Sequence, residues 1–395
     1  MGIPTPFHSR TAALCSSMKW REWAGYLAVS SYETCHEREY LALRQSAGLL
    51  DISPLFKYRV RGPDAVAMLD RLVTRRMDKC SVGQVVYSCW CNDRGKVIDD
   101  GTIARLEENL FRVTSASPSF RWFRSVARGF DVVIEDESTS LAALAIQGPT
   151  SREILRQVSD ADLDNLKYFR LARCRIGSIP VVLSRTGYTG DLGYEIWAGA
   201  EHAVELWDLL MDGGREFGLT PMGLQALDVA RIEAGYILIG VDYTSARTAM
   251  TELQAVSPYE IGLGWTVHLG KDNFVGRTAL LEEKEIGPRR KLVGLEIDWQ
   301  VLVDHQERSG LPPDLPLVPW REVMPLFSGG RQAGWATSGC WSPTLKRYIA
   351  LGSVPPGLAS AGSRFEIEFM VEYERKRVPI RVVPKPFFDP PRKRT

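Results

Sequence analysis

Two stretches of the sequence share one pattern, a short apolar strand followed by Gly-Pro and an amphipathic helix. The strands are predicted at residues 55–60 and 141–146, and the helices at residues 64–73 and 150–158. Proline suits a first helical turn, because its missing N–H would have no partner there in any case. Two such units predict a chain built around related α+β halves.

Further elements are predicted from apolar alternation and from turn residues. A meander between the two units is predicted to have strands at residues 85–90, 96–98, 102–106 and 111–114. After the second unit, strands at residues 179–184 and 194–197 are joined by a glycine-rich loop. A helix is then predicted at residues 201–211, with a buried side made of Val204, Leu206, Trp207 and Leu210.

A run of charged residues at 282–291, interrupted by Gly287 and Pro288, is typical of a domain boundary. Beyond it, predicted strands alternate with Gly/Pro turns to the end, as expected for a compact β-domain. The sequence therefore predicts one region over residues 1–285 and a second, β-rich domain over residues 286–395.

The charge balance excludes some classes of partner. The 395 residues carry 49 basic and 48 acidic side chains, a formal net charge of +1. This balance does not indicate binding to nucleic acid or to a membrane surface, and no apolar stretch reaches the ~18 residues of a membrane span. Seven cysteines, an odd number in a long chain, favour reduced thiols over a disulfide framework. We therefore expect a cytoplasmic protein.

Metal binding and nucleotide chemistry lack their usual sequence signals. The five histidines lie far apart, and no Cys-x-x-Cys pair exists. Cys89 and Cys91 are separated by one residue, which on a strand places both thiols on one face. The sequence also contains no G-x-G-x-x-G after a strand, no Walker loop and no G-x-S-x-G elbow. We therefore predict no metal site and no nucleotide-hydrolysing, dinucleotide-dependent or hydrolase chemistry.

The segment 185–196 has the most informative composition. Gly187, Gly190 and Gly193 let a loop come close to a flat ligand, and Tyr188 offers both a ring and a hydroxyl. Glu195 lies early in a strand with apolar neighbours, where a buried carboxylate costs several kcal/mol unless a donor is nearby. From these residues alone, a surface turn with a glutamate at its rim remains an open alternative.

Six segments together carry a resemblance that no one of them carries alone. They occur in order at residues 50–53, 92–100, 145–149, 185–196, 231–235 and 337–343. In this order and spacing the chain resembles the family of the glycine-cleavage T-protein (aminomethyltransferase) and its folate-dependent demethylase relatives. The resemblance implies an α+β fold with three domains around a central folate channel. Two interleaved α+β domains would then form residues 1–285, and a β-barrel-like domain residues 286–395.

The resemblance also implies a cofactor, tetrahydrofolate, and residues that bind it. Glu195 matches the glutamate that holds the pterin, where one carboxylate accepts from a ring N–H and an exocyclic amine. Tyr188 and Trp265 fall where the family packs aromatic rings around the folate, and Tyr87 matches more loosely. Arg231 matches an arginine of the family's folate pocket.

Asp100 matches the active-site aspartate of the family. From the sequence alone, a structural role for Asp99 and Asp100 at the end of a strand, in a turn or a helix cap, explains them as well as a catalytic role does. With the family match, Asp100 is expected beside the reactive folate nitrogens, where it orients the cofactor and takes up the released proton.

The sequence departs from the T-protein on the expected substrate side. Leu227 stands where the T-protein has a second arginine, and leucine cannot replace a bidentate anion partner. Pro54 and Ser115 replace a histidine and an asparagine, and the stretch 240–265 is longer. Within that stretch, Tyr243 is a candidate acid for a leaving oxygen, although a tyrosine in a loop is more often a packing residue.

Three functions follow from these observations. The first is a tetrahydrofolate-dependent transferase that takes a methyl group from a small aryl methyl ether, sulfonium or methylamine. The second is a true aminomethyltransferase of glycine cleavage, which would have a lipoylated carrier protein as its partner. The third is a non-enzymatic folate-binding iron–sulfur assembly factor, whose expected Lys-Gly-Cys-Tyr-Thr-Gly-Gln loop is absent.

Overall fold

The computed structural model describes residues 2–395, which form a mixed helix and strand fold. In chain order the strands are β1 (Lys19–Trp23), β2 (Tyr26–Ser31), β3 (Ala47–Asp51), β4 (Phe56–Arg61), β5 (Val85–Cys91), β6 (Val97–Glu107), β7 (Leu110–Ser115), β8 (Val133–Asp136), β9 (Leu141–Gln147), β10 (Leu171–Ile176), β11 (Ile179–Ser184), β12 (Gly193–Gly199), β13 (Leu219–Pro221), β14 (Lys291–Ile297), β15 (Met324–Ser328), β16 (Arg331–Ser342), β17 (Arg347–Val354), β18 (Arg364–Val371) and β19 (Glu374–Val383). The α-helices are α1 (His8–Leu14), α2 (His36–Gln45), α3 (Ala65–Leu72), α4 (Phe120–Val126), α5 (Ser151–Val158), α6 (Ala203–Gly214), α7 (Leu224–Glu233), α8 (Arg277–Ile286) and α9 (Trp299–Arg308). Short 3₁₀ turns lie at Ala200–His202, Arg215–Phe217, Gly264–Thr266, Pro356–Leu358 and Pro391–Lys393.

Three sheets organise these elements, in addition to the small β1–β2 hairpin. The first sheet has the strand order β5-β6-β7-β4-β8, and the second has the order β10-β11-β12-β9-β3-β13. The third is a closed barrel of order β14-β17-β16-β15-β18-β19. The predicted α+β class and the predicted C-terminal barrel are therefore confirmed. The division of the chain at residue 285 stays a prediction.

The two strand–Gly-Pro–helix units are present, one in each sheet. β4 leads into α3 beside the first sheet, and β9 leads into α5 beside the second. Gly62 and Gly148 have φ angles of +143° and +124°, which side chains rarely adopt. A Cβ would lie 2.3 Å from the carbonyl oxygen of Asp131 at the first glycine, and 2.5 Å from that of Ser46 at the second. Both turns therefore need glycine for conformation and for space.

Some predicted boundaries are wrong, and one error concerns the site. The strands predicted at 96–98 and 102–106 are one long strand, β6, so Asp99 and Asp100 lie inside it and not at its end. A register shift in the pairing of β5 with β6, between Trp90 and Cys91, accommodates the extra residue. The strand then continues because β5 and β7 both pair with it beyond the aspartates.

The predicted helix 201–211 begins later than expected. Ala200–His202 forms a 3₁₀ turn, and α6 starts at Ala203. Ala203 is three residues before Leu206, which places it on the buried face, whereas Val204 turns outward and is 37% exposed. Leu206, Trp207 and Leu210 are buried as predicted.

Two apolar clusters join the sheets. One packs the face of the second sheet that carries Trp197 against α2, α7 and barrel residues Cys340 and Ile349. The other packs Cys89 and Cys91 of β5 against the 237–280 region and the barrel. Each of the first two sheets is therefore joined to the barrel by a buried apolar cluster. No helix within residues 2–395 is long and apolar enough to cross a membrane.

The turn at Gly148 provides a test of this local geometry. We expect Gly148→Ala to lower the free energy of unfolding by about 2–4 kcal/mol, because it adds backbone strain and a steric clash. Gly357→Ala is the matched control, since a Cβ there meets nothing within 4 Å, and we expect it to change stability by less than about 0.5 kcal/mol. Urea denaturation measures both; equal stability of the two variants would contradict this account of the turn.

Candidate active site

A carboxylate held between two phenols forms the centre of the candidate site. Asp100 lies on β6, where it is paired with Cys89 of β5. The Tyr87 hydroxyl donates to Asp100 Oδ2 at 2.5 Å, and the Tyr243 hydroxyl donates to Oδ1. Burial raises the pKa of Asp100, while the two phenol donors lower it by stabilising the charged form. Tyr87, Asp100 and Tyr243, which the sequence singled out separately, are thus in direct contact.

The hydroxyls of Tyr87 and Tyr243 stay protonated, and so remain hydrogen-bond donors, over the physiological pH range. Burial raises the pKa of Tyr87 and of Tyr243 well above 10, and the charge of Asp100 raises both further. Burial, followed by the charge of Asp100, raises the pKa of the adjacent Asp99 well above its ordinary value, and the nearby Tyr243 hydroxyl offsets this in part. The Asp99 carboxylate is fully buried and accepts from the backbone N–H groups of Asp100 and Ser117, each at 2.8 Å.

The long segment that carries Tyr243 lies along β6. The Ser245 hydroxyl donates to the Ile98 carbonyl at 2.6 Å, and the Ala246 N–H donates to the Val97 carbonyl at 2.8 Å. The Val97 N–H in turn donates to the Val256 carbonyl at 2.8 Å. Because these bonds hold the segment against the two residues directly before the aspartate pair, they bring Tyr243 to Asp100.

Aromatic rings surround this centre. Trp265 is 57% exposed and stacks on Tyr87, with 6.1 Å between ring centroids and 21° between planes. The Arg75 guanidinium lies 5.3 Å from the Trp265 ring. Tyr188 stacks on Tyr236 at 5.5 Å. An indole exposed to this extent and braced by a second ring is suited to covering a flat ligand.

Tyr188 is electrostatically linked to the same centre. Its hydroxyl donates to the Ile237 carbonyl. Burial raises its pKa most strongly, the guanidinium of Arg231 lowers it, and the charges of Asp100 and Asp242 raise it. These influences place Tyr188 within electrostatic range of both Asp100 and Arg231.

Glu195 lies apart from the Asp100 cluster. It sits half-buried on β12 of the second sheet, opposite Ser184 of β11 and Ala145 of β9. Burial raises its pKa to about 7, and a hydrogen bond with Thr186 offsets this only in part. Among the hydrogen bonds of residues 2–395, none joins Glu195 to Asp100. With Thr186 as its donor, the Glu195 carboxylate keeps unused capacity to accept further donors.

The glycines of the 185–196 loop contact protein atoms. A Cβ on Gly187 or Gly193 would lie 2.0 or 2.3 Å from the nearest atom of the Gln147 side chain, and one on Gly190 would lie 2.6 Å from Ala234 Cβ. Gln147 donates to carbonyls on both sides of the loop and accepts from the Thr189 hydroxyl. The loop needs its glycines to close around this buried amide, a reason that the sequence does not reveal.

Arg231 is fully buried on α7, and most of its hydrogen-bonding groups are occupied. Nη1 lies 2.6 Å from Asp242 Oδ2 and 3.2 Å from the Tyr236 carbonyl, while Nε lies 3.3 Å from Asp228 Oδ1. Nη2 has no hydrogen-bond partner within the described chain. Asp242 and Asp228 had no sequence signal of their own, because a buried ion pair is recognisable only once the fold brings its members together.

Leu227 is half-buried against the apolar cluster around α7. The next residue, Asp228, forms a two-pronged ion pair with Arg321, at 2.9 and 2.6 Å from Nε and Nη2. Arg21 lies 3.5 Å from the same carboxylate. Positive charge is therefore present beside position 227. Arg21 of β1 and Arg321, which follows α9, supply it.

The arrangement suggests both binding and proton transfer. Exposed and stacked rings can hold a flat ligand, Glu195 can accept two donors, and Asp100 can accept a proton in a partly desolvated site. Over residues 2–395, no group of three or more His, Cys, Asp or Glu side chains is arranged to hold a metal ion. All seven cysteines are free thiols.

The chain is similar in sequence and in structure to known proteins. The family model "GCVT N-terminal domain" matches residues 7–271, and "Glycine cleavage T-protein C-terminal barrel domain" matches residues 290–389. An aminomethyltransferase of Halothermothrix orenii is 37% identical over 88% of this chain and 90% of its own. The trimethylamine-oxide aldolase of Ruegeria pomeroyi is 36% identical over 99% of this chain, which spans 47% of that longer protein. The crystal structure of glycine cleavage system aminomethyltransferase T from Bartonella henselae superimposes with a TM-score of 0.83 at 26% identity, covering 98% of each chain.

The raised pKa of Glu195 predicts a pH-dependent contribution to stability. Because the folded pKa of about 7 exceeds the unfolded value, the folded state binds this proton more tightly. Relative to Glu195→Gln, the wild-type protein should therefore lose stability as pH rises from about 4.5 to about 7. Urea denaturation across this range measures the difference, with Glu205→Gln on the exposed side of α6 as the control. Parallel pH dependences for wild type and Glu195→Gln would contradict the assignment.

Proposed function

The chain belongs to the glycine cleavage T-protein family, and on that premise we propose that it transfers a methyl group from a small methylated substrate to tetrahydrofolate. Membership makes it a one-carbon transferase, an enzyme of the aminomethyltransferase family. The observation that carries the proposal is the Asp100 carboxylate, held by Tyr87 and Tyr243 beside the exposed Trp265. We propose the cytoplasm as its location, on the content of free cysteines.

The residues present fit tetrahydrofolate. Glu195 offers a carboxylate with unused acceptor capacity, which suits the two adjacent donors of a pterin. Trp265 and Tyr188 offer flat faces, each braced by a neighbouring ring. The unpartnered Nη2 of Arg231 offers one more donor. When bound, the cofactor supplies the nucleophilic nitrogen that accepts the one-carbon unit.

Asp100 orients the site and receives the proton that the transfer releases. Its pKa is raised by burial, which makes it a stronger base than an exposed aspartate. Tyr87 and Tyr243 fix both carboxylate oxygens, so that the carboxylate cannot rotate away from the reacting atoms. Positioning is the main contribution, since no side chain in this cluster is an activated nucleophile.

Tyr243 restricts the choice of methyl donor. Its hydroxyl has one proton, and that proton is directed to Asp100. Donation to the oxygen of an aryl ether would require this contact to break first. A sulfonium or a charged methylamine leaves as a neutral group and needs no acid, and its cation suits a site with an anion and exposed aromatic faces. Sulfonium and methylamine donors therefore fit the site better than aryl ethers.

Aminomethyl transfer from a lipoylated carrier protein is the second candidate function. The observation in its favour is the 37% identity to an aminomethyltransferase over nearly the whole of that enzyme. Neither function involves a nucleic-acid or membrane partner.

A turnover assay distinguishes the two functions. The protein is incubated with tetrahydrofolate and a panel of methylated sulfonium, amine and methoxyaryl compounds. We expect 5-methyltetrahydrofolate to form with a sulfonium or amine donor, and Asp100→Asn to reduce the rate at least about 100-fold. Formation of 5,10-methylenetetrahydrofolate from a lipoylated carrier, with no product from the panel, would overturn methyl transfer in favour of the second candidate.

Glu195 provides a binding test that needs no turnover. Glu195→Ala should weaken tetrahydrofolate binding by about 1.5–3 kcal/mol, the value of a hydrogen bond to a charged group. Wild-type affinity should also decrease as pH falls below about 7, since the protonated carboxyl cannot accept from both pterin donors. Calorimetric titration measures both effects, with Glu205→Ala as the control. Unchanged affinity in Glu195→Ala would mean that the pterin lies elsewhere.

The phenols at Asp100 predict a shift in the pH profile. Tyr243→Phe and Tyr87→Phe each remove a donor to the ionised carboxylate, which should raise the pKa of Asp100 by about 1–2. The acidic limb of the kcat profile should therefore move to higher pH in both variants. Tyr373→Phe, at a site 96% exposed on the barrel, should leave the profile unchanged. A shift to lower pH would contradict the role given to the phenols.

A further inference from the structure

A second buried carboxylate, Asp242, lies one residue before Tyr243. Its side chain is completely enclosed. Oδ2 accepts from Arg231 Nη1 at 2.6 Å and from the Leu238 N–H at 2.9 Å. Oδ1 accepts from the hydroxyls of Thr337 and Ser338, at 2.6 and 2.7 Å. Four donors thus compensate for the loss of hydration of this charge, and they come from α7, the 238–243 turn and the barrel.

The barrel supplies its two hydroxyls through an irregularity in β16. Adjacent strand residues normally point to opposite faces, so Thr337 and Ser338 would not reach one acceptor from a regular strand. The pairing of β16 with β17 shifts register between Ala336 and Ser338. Such a bulge redirects a side chain, and here it brings both hydroxyls to the same oxygen of Asp242.

The turn that carries Asp242, residues 238–243, is short and has hydrogen bonds of its own. The Asp242 N–H donates to the Leu238 carbonyl, and the Gly240 N–H donates to the Tyr243 carbonyl, both at 2.8 Å. Tyr243, directly after Asp242, has a buried ring and donates its hydroxyl to Asp100. A displacement of Asp242 is therefore transmitted directly to the phenol that contacts Asp100.

We infer that Asp242 is a positioning residue through which the barrel holds Tyr243 against Asp100. Among the hydrogen bonds of residues 2–395, none joins Asp242 to Asp100, so Asp242 acts through its neighbour Tyr243. The inference rests on the proposed function for the role of Asp100 in catalysis. The link itself, from the barrel hydroxyls to the Tyr243 phenol, is physical and can be measured without a substrate.

The test uses the full chain with 3-fluorotyrosine incorporated at position 243. The ¹⁹F resonance of this residue is followed through a pH titration, in the otherwise unchanged protein and in Thr337→Ala/Ser338→Ala. In the intact site, burial and Asp100 hold the phenol pKa well above that of free fluorotyrosine. In the double variant, the phenol should leave Asp100 and its pKa should fall by about 1 or more, the equivalent of one hydrogen bond to a charged group.

The controls separate positioning from loss of folding. Exchanging the two residues, in Thr337→Ser/Ser338→Thr, keeps both hydroxyls and should restore the high pKa. Ser328→Ala removes a barrel hydroxyl outside this network and should leave the resonance unchanged. If the double variant does not fold, Ser338→Ala alone is titrated, with a smaller decrease expected. An unchanged pKa at position 243 in a folded hydroxyl-deletion variant would overturn the inference.

Turnover gives a second readout. With an active donor, the double variant should lose kcat by up to about 100-fold, while the KM for tetrahydrofolate should change much less than kcat because Glu195, Tyr188 and Trp265 are untouched. A raised KM with unchanged kcat would contradict a positioning role. If no donor is active, the proposed function fails, but the fluorine titration still decides whether the barrel controls Tyr243.

Discussion

The ion pair between Arg231 and Asp242 ties the barrel to α7 and to the turn before Tyr243. Both side chains are fully enclosed, and a charge in such a place is tolerated only with good partners. The partners come from different parts of the fold: α7 supplies the guanidinium, the barrel supplies two hydroxyls, and the turn before Tyr243 supplies the carboxylate. Satisfying this pair therefore fixes the position of the barrel relative to the site.

The two carboxylates of the site, Asp100 and Glu195, differ in how many hydrogen-bond donors they have. Asp100 has two phenol donors, which stabilise its charged form against burial. Glu195 has little compensation, and its pKa is raised to about 7. A carboxylate with unmet acceptor capacity is suited to binding donors from a ligand, whereas one already held in place is suited to receiving a proton at a fixed position. The electrostatics thus agree with the binding role proposed for Glu195 and with the catalytic role proposed for Asp100.

Local patterns predicted much of the fold. The strand at residues 179–184, the helix α3 and the two Gly-Pro turns follow from apolar periodicity and turn chemistry, which act over a few residues. The single strand β6 could not be predicted, because its continuity depends on a bulge and on pairing at both edges. The start of α6 was misplaced for a similar reason, since a 3₁₀ turn shifts which residues face inward.

The candidate site was predictable residue by residue, but not as an arrangement. Tyr87, Asp100, Tyr243 and Trp265 were each chosen from the sequence, and the structure brings them into one cluster. That Tyr87 and Tyr243 share one carboxylate depends on tertiary contacts between β5, β6 and a distant loop. Asp242 had no signal of its own for the same reason, because one of its donors, Ser338, lies 96 residues away in sequence.

A crystal structure of the protein with bound tetrahydrofolate tests the central claim most directly. The account predicts that both carboxylate oxygens of Glu195 lie about 2.7–2.9 Å from two adjacent pterin nitrogens. It also predicts that the pterin lies against Trp265 or Tyr188, with the reactive nitrogen beside Asp100. A pterin bound away from Glu195, or a complex in which Asp100 is remote from the reactive nitrogen, would contradict the account.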